Sequence, residues 1–267
     1  MSSPENPVDS KKKRSKTHHV TLWHRYLGLT GLAFILVLAV TGIMLNHTEL
    51  LKLDSRFVES GLLLDWYDIK APDNTVSYHA DNLWVTQLGD QLYLNDHRIH
   101  DLTGVLVGAL VMEGVLVVGL EGSVVLMTPE GGIIERLTGT AGVPAGMTRI
   151  GVDNSGNLIV QAAHGQYSTD ATFLEWREYT DRVSTFPLQV VAIAWAEPQA
   201  PPPPLQASIV RAYRTTVLPL ERIALDIHGG PFVGKWGKYF VDAVGVLFVV
   251  LALFGFWIWA ARKWRRG

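Results

Sequence analysis

Cysteine is absent from the 267 residues. That excludes a disulfide framework, a thiolate-held zinc or iron–sulfur site, a thiol nucleophile and cysteine-linked haem. Charge is scarce too: 18% of residues are Asp, Glu, Lys or Arg, against 48% hydrophobic, whereas a soluble domain carries about a quarter charged residues. The formal net charge is −2, which argues against nucleic acid as a partner. No P-loop, Rossmann glycine pattern, G-x-S-x-G, H-E-x-x-H or EF-hand loop occurs. The chemistries that need those cradles, nucleophiles and ligand pairs therefore lack a signature here.

The charge that is present is segregated. From Tyr26 to Leu45 and from Ala243 to Ala261 the chain has no charged side chain. About 20 such residues, at ~1.5 Å each in a helix, cross a hydrocarbon core of ~30 Å. Lys11, Lys12, Lys13, Arg14, Lys16 and Arg25 precede the first run, and Arg262, Lys263, Arg265 and Arg266 follow the second. Basic flanks stay on the cytoplasmic side, so both termini are expected inside and the middle of the chain outside. From Glu49 to Lys235 there are 12 basic and 22 acidic residues, a net of −10. The first apolar run is too long for a signal-peptide core, and no A-x-A-like site follows it, so it is expected to be retained. Trp23, Trp257, Trp259 and Trp264 stand near the span ends, as an aromatic belt requires.

Between the runs the texture changes. From about residue 80 to 195, aliphatic and β-branched stretches alternate with LGDQ, MEGV, LEGS, PEGG and NSGN at roughly ten-residue spacing. This predicts a β-meander of about eight to ten short strands joined by tight turns. The pattern is propeller-like, but about 100 residues cannot fill four blades of ~40; an open meander or partial sandwich is expected. EPQAPPPP, residues 197–204, reads as a stiff linker. Leu205, Ile209, Ala212, Tyr213, Thr216 and Leu220 then fall at helical spacing, predicting an amphipathic helix over about 205–226 interrupted at Pro219.

The expected organisation is a basic tail (1–19), a transmembrane helix (20–46), an outer β-rich domain (47–236), a second transmembrane helix (237–261) and a basic tail (262–267). The fold class is thus a mixed membrane protein, two transmembrane α-helices flanking an extracytoplasmic β-rich, meander or partial-propeller-like domain.

Histidines stand at the span boundaries: His24 opens the first, His47 closes it, and His228 precedes the second. A polar ring beside a span points to function, and histidine is a common metal and haem ligand. Without cysteine, a membrane redox centre needs bis-histidine ligation. His47 and His228 are expected on the outer face. His24 lies 23 residues from His47, about 34 Å along a helix, so its partner would be His19 or His24 of a second chain. His24, Gly28, Gly31 and Gly42 fall on one helical stripe, and Gly245, Val249 and Ala252 form another. Two readings remain open: haem ligation, or interfacial anchoring with plain helix packing. Asp242 is the one acid near a hydrocarbon region and is expected to cap or pair. In DHRIHD, His97 and His100 lie three apart between Asp96 and Asp101. This reads as a solvated hairpin tip, with a divalent metal as the alternative.

WHRYLGLTGLAFILVLAVTGIMLNH resembles the first helix of the PepSY-associated transmembrane family, with His-Arg-x-x-Gly at its inner end and Thr-Gly at its outer end. ERIALDIHGGPFVGKWGKYFVDAVGVLFVVLALFGFWIW resembles the family's later helix. The likeness covers residues 18–48 and 220–266. It implies a bacterial inner-membrane protein with a periplasmic domain. Some relatives are membrane reductases that hold b-type haem through helix histidines and serve ferric siderophores or flavin-bearing partners. The resemblance puts haem b at His24 and His228, with His47 a plausible third. It implies an electron-transfer or accessory subunit for a periplasmic redox or iron-related partner, working as a homodimer or within a larger membrane complex. The sequence departs from the family in having two spans and no clear PepSY domain. The alternative is a cofactor-free anchored module for binding, assembly or regulation.

Overall fold

The computed structural model describes residues 7–179 and 192–264. Two units are distinguished: residues 1–58 with 218–267, and residues 59–217.

The first unit is helical. α1 (Pro7–Asn46) is followed by α2 (Thr48–Leu51), and on the far side of the chain come α5 (Leu220–Gly229) and α6 (Gly237–Trp264). The apolar part of α1 is Arg25–Asn46, 22 residues with mean hydropathy 2.3; that of α6 is Gly237–Ala260, 24 residues at 2.4. Only 11% and 6% of these windows are buried. A soluble protein's core helix would bury such a surface. Two apolar helices left bare near the two ends of the chain are the mark of a membrane-associated protein. α1 also runs unbroken through the basic residues from Lys11 to Lys16.

The second unit is β-rich. α3 (Gly61–Trp66) precedes twelve strands that fall into three antiparallel sheets, with a thirteenth added on the return. β1 (Thr75–Ala80), β2 (Leu83–Leu88), β3 (Gln91–Leu94) and β4 (His97–Ile99) form the first. β5 (Leu106–Met112), β6 (Val115–Leu120), β7 (Ser123–Met127) and β8 (Ile133–Leu137) form the second. The third has the order β12 (Arg177–Glu178), β11 (Gly165–Thr169), β10 (Leu158–Ala162), β9 (Arg149–Val152), β13 (Ala194–Trp195). The opening strands neighbour one another, β1 beside β5 and β5 beside β9. The meander thus folds as three successive blade-like sheets. It starts slightly earlier than the sequence suggests and has more strands, because β12 and β13 are two-residue pairings with no periodicity to read.

The turn dipeptides fix the register. Leu88 pairs with Gln91, Met112 with Val115 and Leu120 with Ser123, each across a two-residue loop. Two of these loops use left-handed backbone: Gly89 at φ +61, and Glu113–Gly114 at φ +49 and +81; Glu121–Gly122 makes its turn without a positive φ.

β6 shows why the middle of the chain reads as a continuous apolar run. Leu116, Val118 and Leu120 face the first sheet, in a core with Val85, Leu92 and Leu94. Val117 faces the third sheet, in a core with Ile150, Leu158 and Val160. A strand buried on both faces loses its alternation. Close stacking is bought at two glycines: a Cβ on Gly108 would lie 2.5 Å from Ile150 Cγ1, and one on Gly119 2.7 Å from Ile150 Cγ2.

The predicted amphipathic helix is two helices. α4 (Pro203–Arg214) ends before Pro219, which is the N-cap of α5. Ile209 of α4 is buried against Leu88 and Tyr93 on the outer face of the first sheet, with Leu205, Ala212 and Tyr213 around it. The prolines before α4 do not hang free: Gln199 N–H donates to Ser77 C=O at 2.8 Å, beside β1.

Candidate functional site

The boundary histidines belong to the helical unit. α5 lies along the C-terminal end of α1. Its first free N–H groups are held by backbone: Leu220 donates to the Arg56 carbonyl at 2.8 Å and Glu221 to that of Leu53 at 2.9 Å. At its other end, His228 reaches α1, with Nδ1 2.9 Å from Thr41 Oγ1. Thr41 is buried.

Thr41 Oγ1 also lies 2.8 Å from the Val37 carbonyl, one turn back, to which its single hydroxyl hydrogen can donate. In the Nδ1–H tautomer the Thr41 oxygen accepts from His228, and Nε2 carries the lone pair. A ligating histidine is held in this way by a partner on its other nitrogen.

Gly42 makes room for the same ring. A Cβ there would lie 3.3 Å from His228 Cε1. Gly31 takes Phe248 of α6 in the same fashion, at 3.1 Å. Part of the glycine stripe on α1 is therefore occupied by the chain's own side chains. Gly28 and Gly245 have open space where a Cβ would stand.

Asp226 lies two residues, about half a turn, before His228 and is 4% exposed. Its carboxylate accepts a hydrogen bond from Arg222 Nε at 3.0 Å, an i,i+4 ion pair with the guanidinium toward solvent. Sequence reasoning did not single out Thr41, Arg222 or Asp226. The signal for Asp226 was Arg222 four residues before it, the spacing at which helix side chains pair.

The other expected residues fall elsewhere. His47 is exposed and serves as the N-cap residue of α2. Among the described residues no hydrogen bond or ring contact joins it to His228. His24 lies on α1, and its side chain is outside the described residues. Asp242 is exposed on α6, with no ion pair among the described residues. In the β-rich unit His97 is paired with Asp96 at 2.8 Å, and His97 and His100 line one shallow depression with Arg98 and Glu130. Among the described residues no group of three or more His, Asp or Glu side chains converges as a metal site. DHRIHD is not a hairpin tip as expected: His97–Ile99 is the strand β4, with Ile99 buried and both histidines exposed.

No family model matches the chain, and no curated protein matches it by sequence. The functional reading therefore rests on the residues and the resemblance described above.

Proposed function

We propose that the chain is a two-span protein of a bacterial inner membrane, with both termini cytoplasmic and the three-sheet unit in the periplasm. Its role is that of an electron-transfer or accessory subunit that holds b-type haem at the boundary histidines. The basic flanks and the acidic middle of the chain support the topology. One observation supports the haem reading: the His228 ring is held at Nδ1 by Thr41 Oγ1, which in the Nδ1–H tautomer leaves the Nε2 lone pair for a ligand.

His228 would hold the haem iron through one nitrogen. The second imidazole would come from His47 or His24, of this chain or of another copy. Bound haem would supply one-electron transfer. The chain's own contribution is to hold the His228 ring against α1 through Thr41 and Gly42. The stacked sheets would dock a periplasmic redox or iron-related partner.

The test is haem content per chain after purification from haem-replete cells, by the pyridine haemochrome assay. Wild type and His97→Ala retain haem and His228→Ala loses it. Equal haem in wild type and His228→Ala refutes the assignment.

A second reading has its own support. Gly42 and Gly31 are filled by His228 and Phe248, as plain helix packing requires. In that reading the helices anchor a cofactor-free binding, assembly or regulatory module, and all variants purify colourless.

A further inference from the structure

The position of α5 relative to α1 carries an inference about the membrane. α1's apolar window ends at Asn46. Thr41 lies five residues inside that end, about 7 Å at 1.5 Å per residue. His228 is bonded to Thr41, while Leu220 and Glu221, at the other end of α5, are bonded to Arg56 and Leu53 beyond α1. α5 thus starts outside the apolar window and runs back down beside it. The chain then folds tightly on itself. Gly230 has φ +100, and a Cβ on Gly237 would come within van der Waals overlap of the Gly230 carbonyl. α6 begins at that level, and its Phe240 ring meets Phe34 of α1 at 5.4 Å between centroids.

The side chains sort by face accordingly. Leu225 is 49% exposed, Val233 61% and Trp236 74%. The polar groups at this level turn inward, Asp226 buried and His228 against Thr41. Arg222, two turns up the helix from His228, reaches down to Asp226 with its stem. Lys235 and Lys238 are exposed and have stems long enough to carry their charges outward.

We propose that the end of α5 lies within the outer leaflet. Leu225 and, beyond the helix, Val233 and Trp236 face the acyl chains, so the second crossing is a helix broken between Gly229 and Gly237. The acyl chains of that leaflet are the partner of Leu225, Val233 and Trp236. A broken helix places backbone groups at membrane depth, which is tolerated where they are satisfied within the protein; here Val233, Gly234 and Gly237 donate their N–H groups to the carbonyls of Gly230, Pro231 and Gly234 inside the break. The inference rests on the membrane-spanning reading of α1 and α6.

The absence of cysteine makes the test direct. Single-cysteine variants of the full chain, Leu225→Cys and Val233→Cys, are spin-labelled and reconstituted in phosphatidylethanolamine–phosphatidylglycerol bilayers. Collision with oxygen is compared with collision with a water-soluble nickel chelate. Leu36→Cys, exposed in mid-α1, gives the lipid reference, and Glu135→Cys on β8 the aqueous one. The expected oxygen-to-nickel ratio at 225 and 233 is several-fold above that at 135 and approaches that at 36. If 225 and 233 match 135 while 36 is lipid-exposed, α5 lies outside the leaflet and the proposal fails. If 36 is itself aqueous, the spanning reading fails and the inference with it.

Discussion

Ile150 and the two glycines facing it provide a quantitative test of how the sheets stack. Alanine at Gly108 puts a methyl 2.5 Å from Ile150 Cγ1, more than an ångström inside ordinary carbon–carbon contact at ~3.5–4.0 Å. Ile150 has no solvent exposure and its Cγ2 packs against Gly119, so turning χ1 trades one overlap for another and a strand must shift. Overpacking of this kind costs about 1–3 kcal/mol. Removing glycine's backbone freedom returns about 0.4–1 kcal/mol, so Gly108→Ala is expected to be net destabilising by about 1–2 kcal/mol. Ile150→Ala opens a cavity and costs about 2–5 kcal/mol. In the double variant the clash is gone and the new methyl fills part of the cavity. The pair is therefore expected to cost at least about 1 kcal/mol less than the sum. Thermal unfolding of the full chain in detergent, followed by tryptophan fluorescence at one scan rate, reads this as about 2–4 °C per kcal/mol. Additivity within about 0.5 kcal/mol would refute the close stacking at Ile150.

Ile209→Ala removes the buried anchor of α4 and is expected to cost about 2–5 kcal/mol, with amide exchange in residues 203–214 rising before the rest of the unit. Tyr93 is fully buried, and burial pushes its phenol up to about 12 from 10.0. The folded chain thus holds that proton more tightly than the unfolded chain. Stability is complete below pH 10 and falls as pH rises toward 12, by about 2–3 kcal/mol. An alkaline melting series tests this, and Tyr93→Phe should flatten that part of the profile while losing the 2.7 Å bond to Gln91 Oε1. Arg222→Ala leaves the Asp226 carboxylate buried without its ion-pair partner; because Arg222 is itself largely exposed, the expected loss is about 1–3 kcal/mol. Adding Asp226→Asn to Arg222→Ala should recover part of the melting temperature.

The sequence discloses these features unevenly. The two bare helices were legible because charge is missing from two runs and abundant elsewhere. The hairpin loops were legible because left-handed positions demand Gly, Asn or Asp, and LGDQ and MEGV fall on them. The grouping into three sheets was not, because β6 is buried on both faces and shows no period to say which strands it meets. α4 was visible in the spacing of Leu205, Ile209 and Ala212, whereas the separate direction of α5 after Pro219 depends on its bonds to Leu53 and Arg56. At the site, His228 was marked by its position beside a span. Thr41 was not, since a threonine bonded to its own helix at Val37 looks like any other small residue in an apolar run. Its role appears only when His228 is found at its oxygen.

The most direct test of the haem reading is a dithionite-reduced minus oxidised absorption spectrum of the purified chain in detergent, with His228→Ala and His47→Ala alongside. The proposal predicts a b-type α-band in the wild type that is lost in His228→Ala. A flat wild-type spectrum from haem-replete cells, or a band unchanged in His228→Ala, would contradict it.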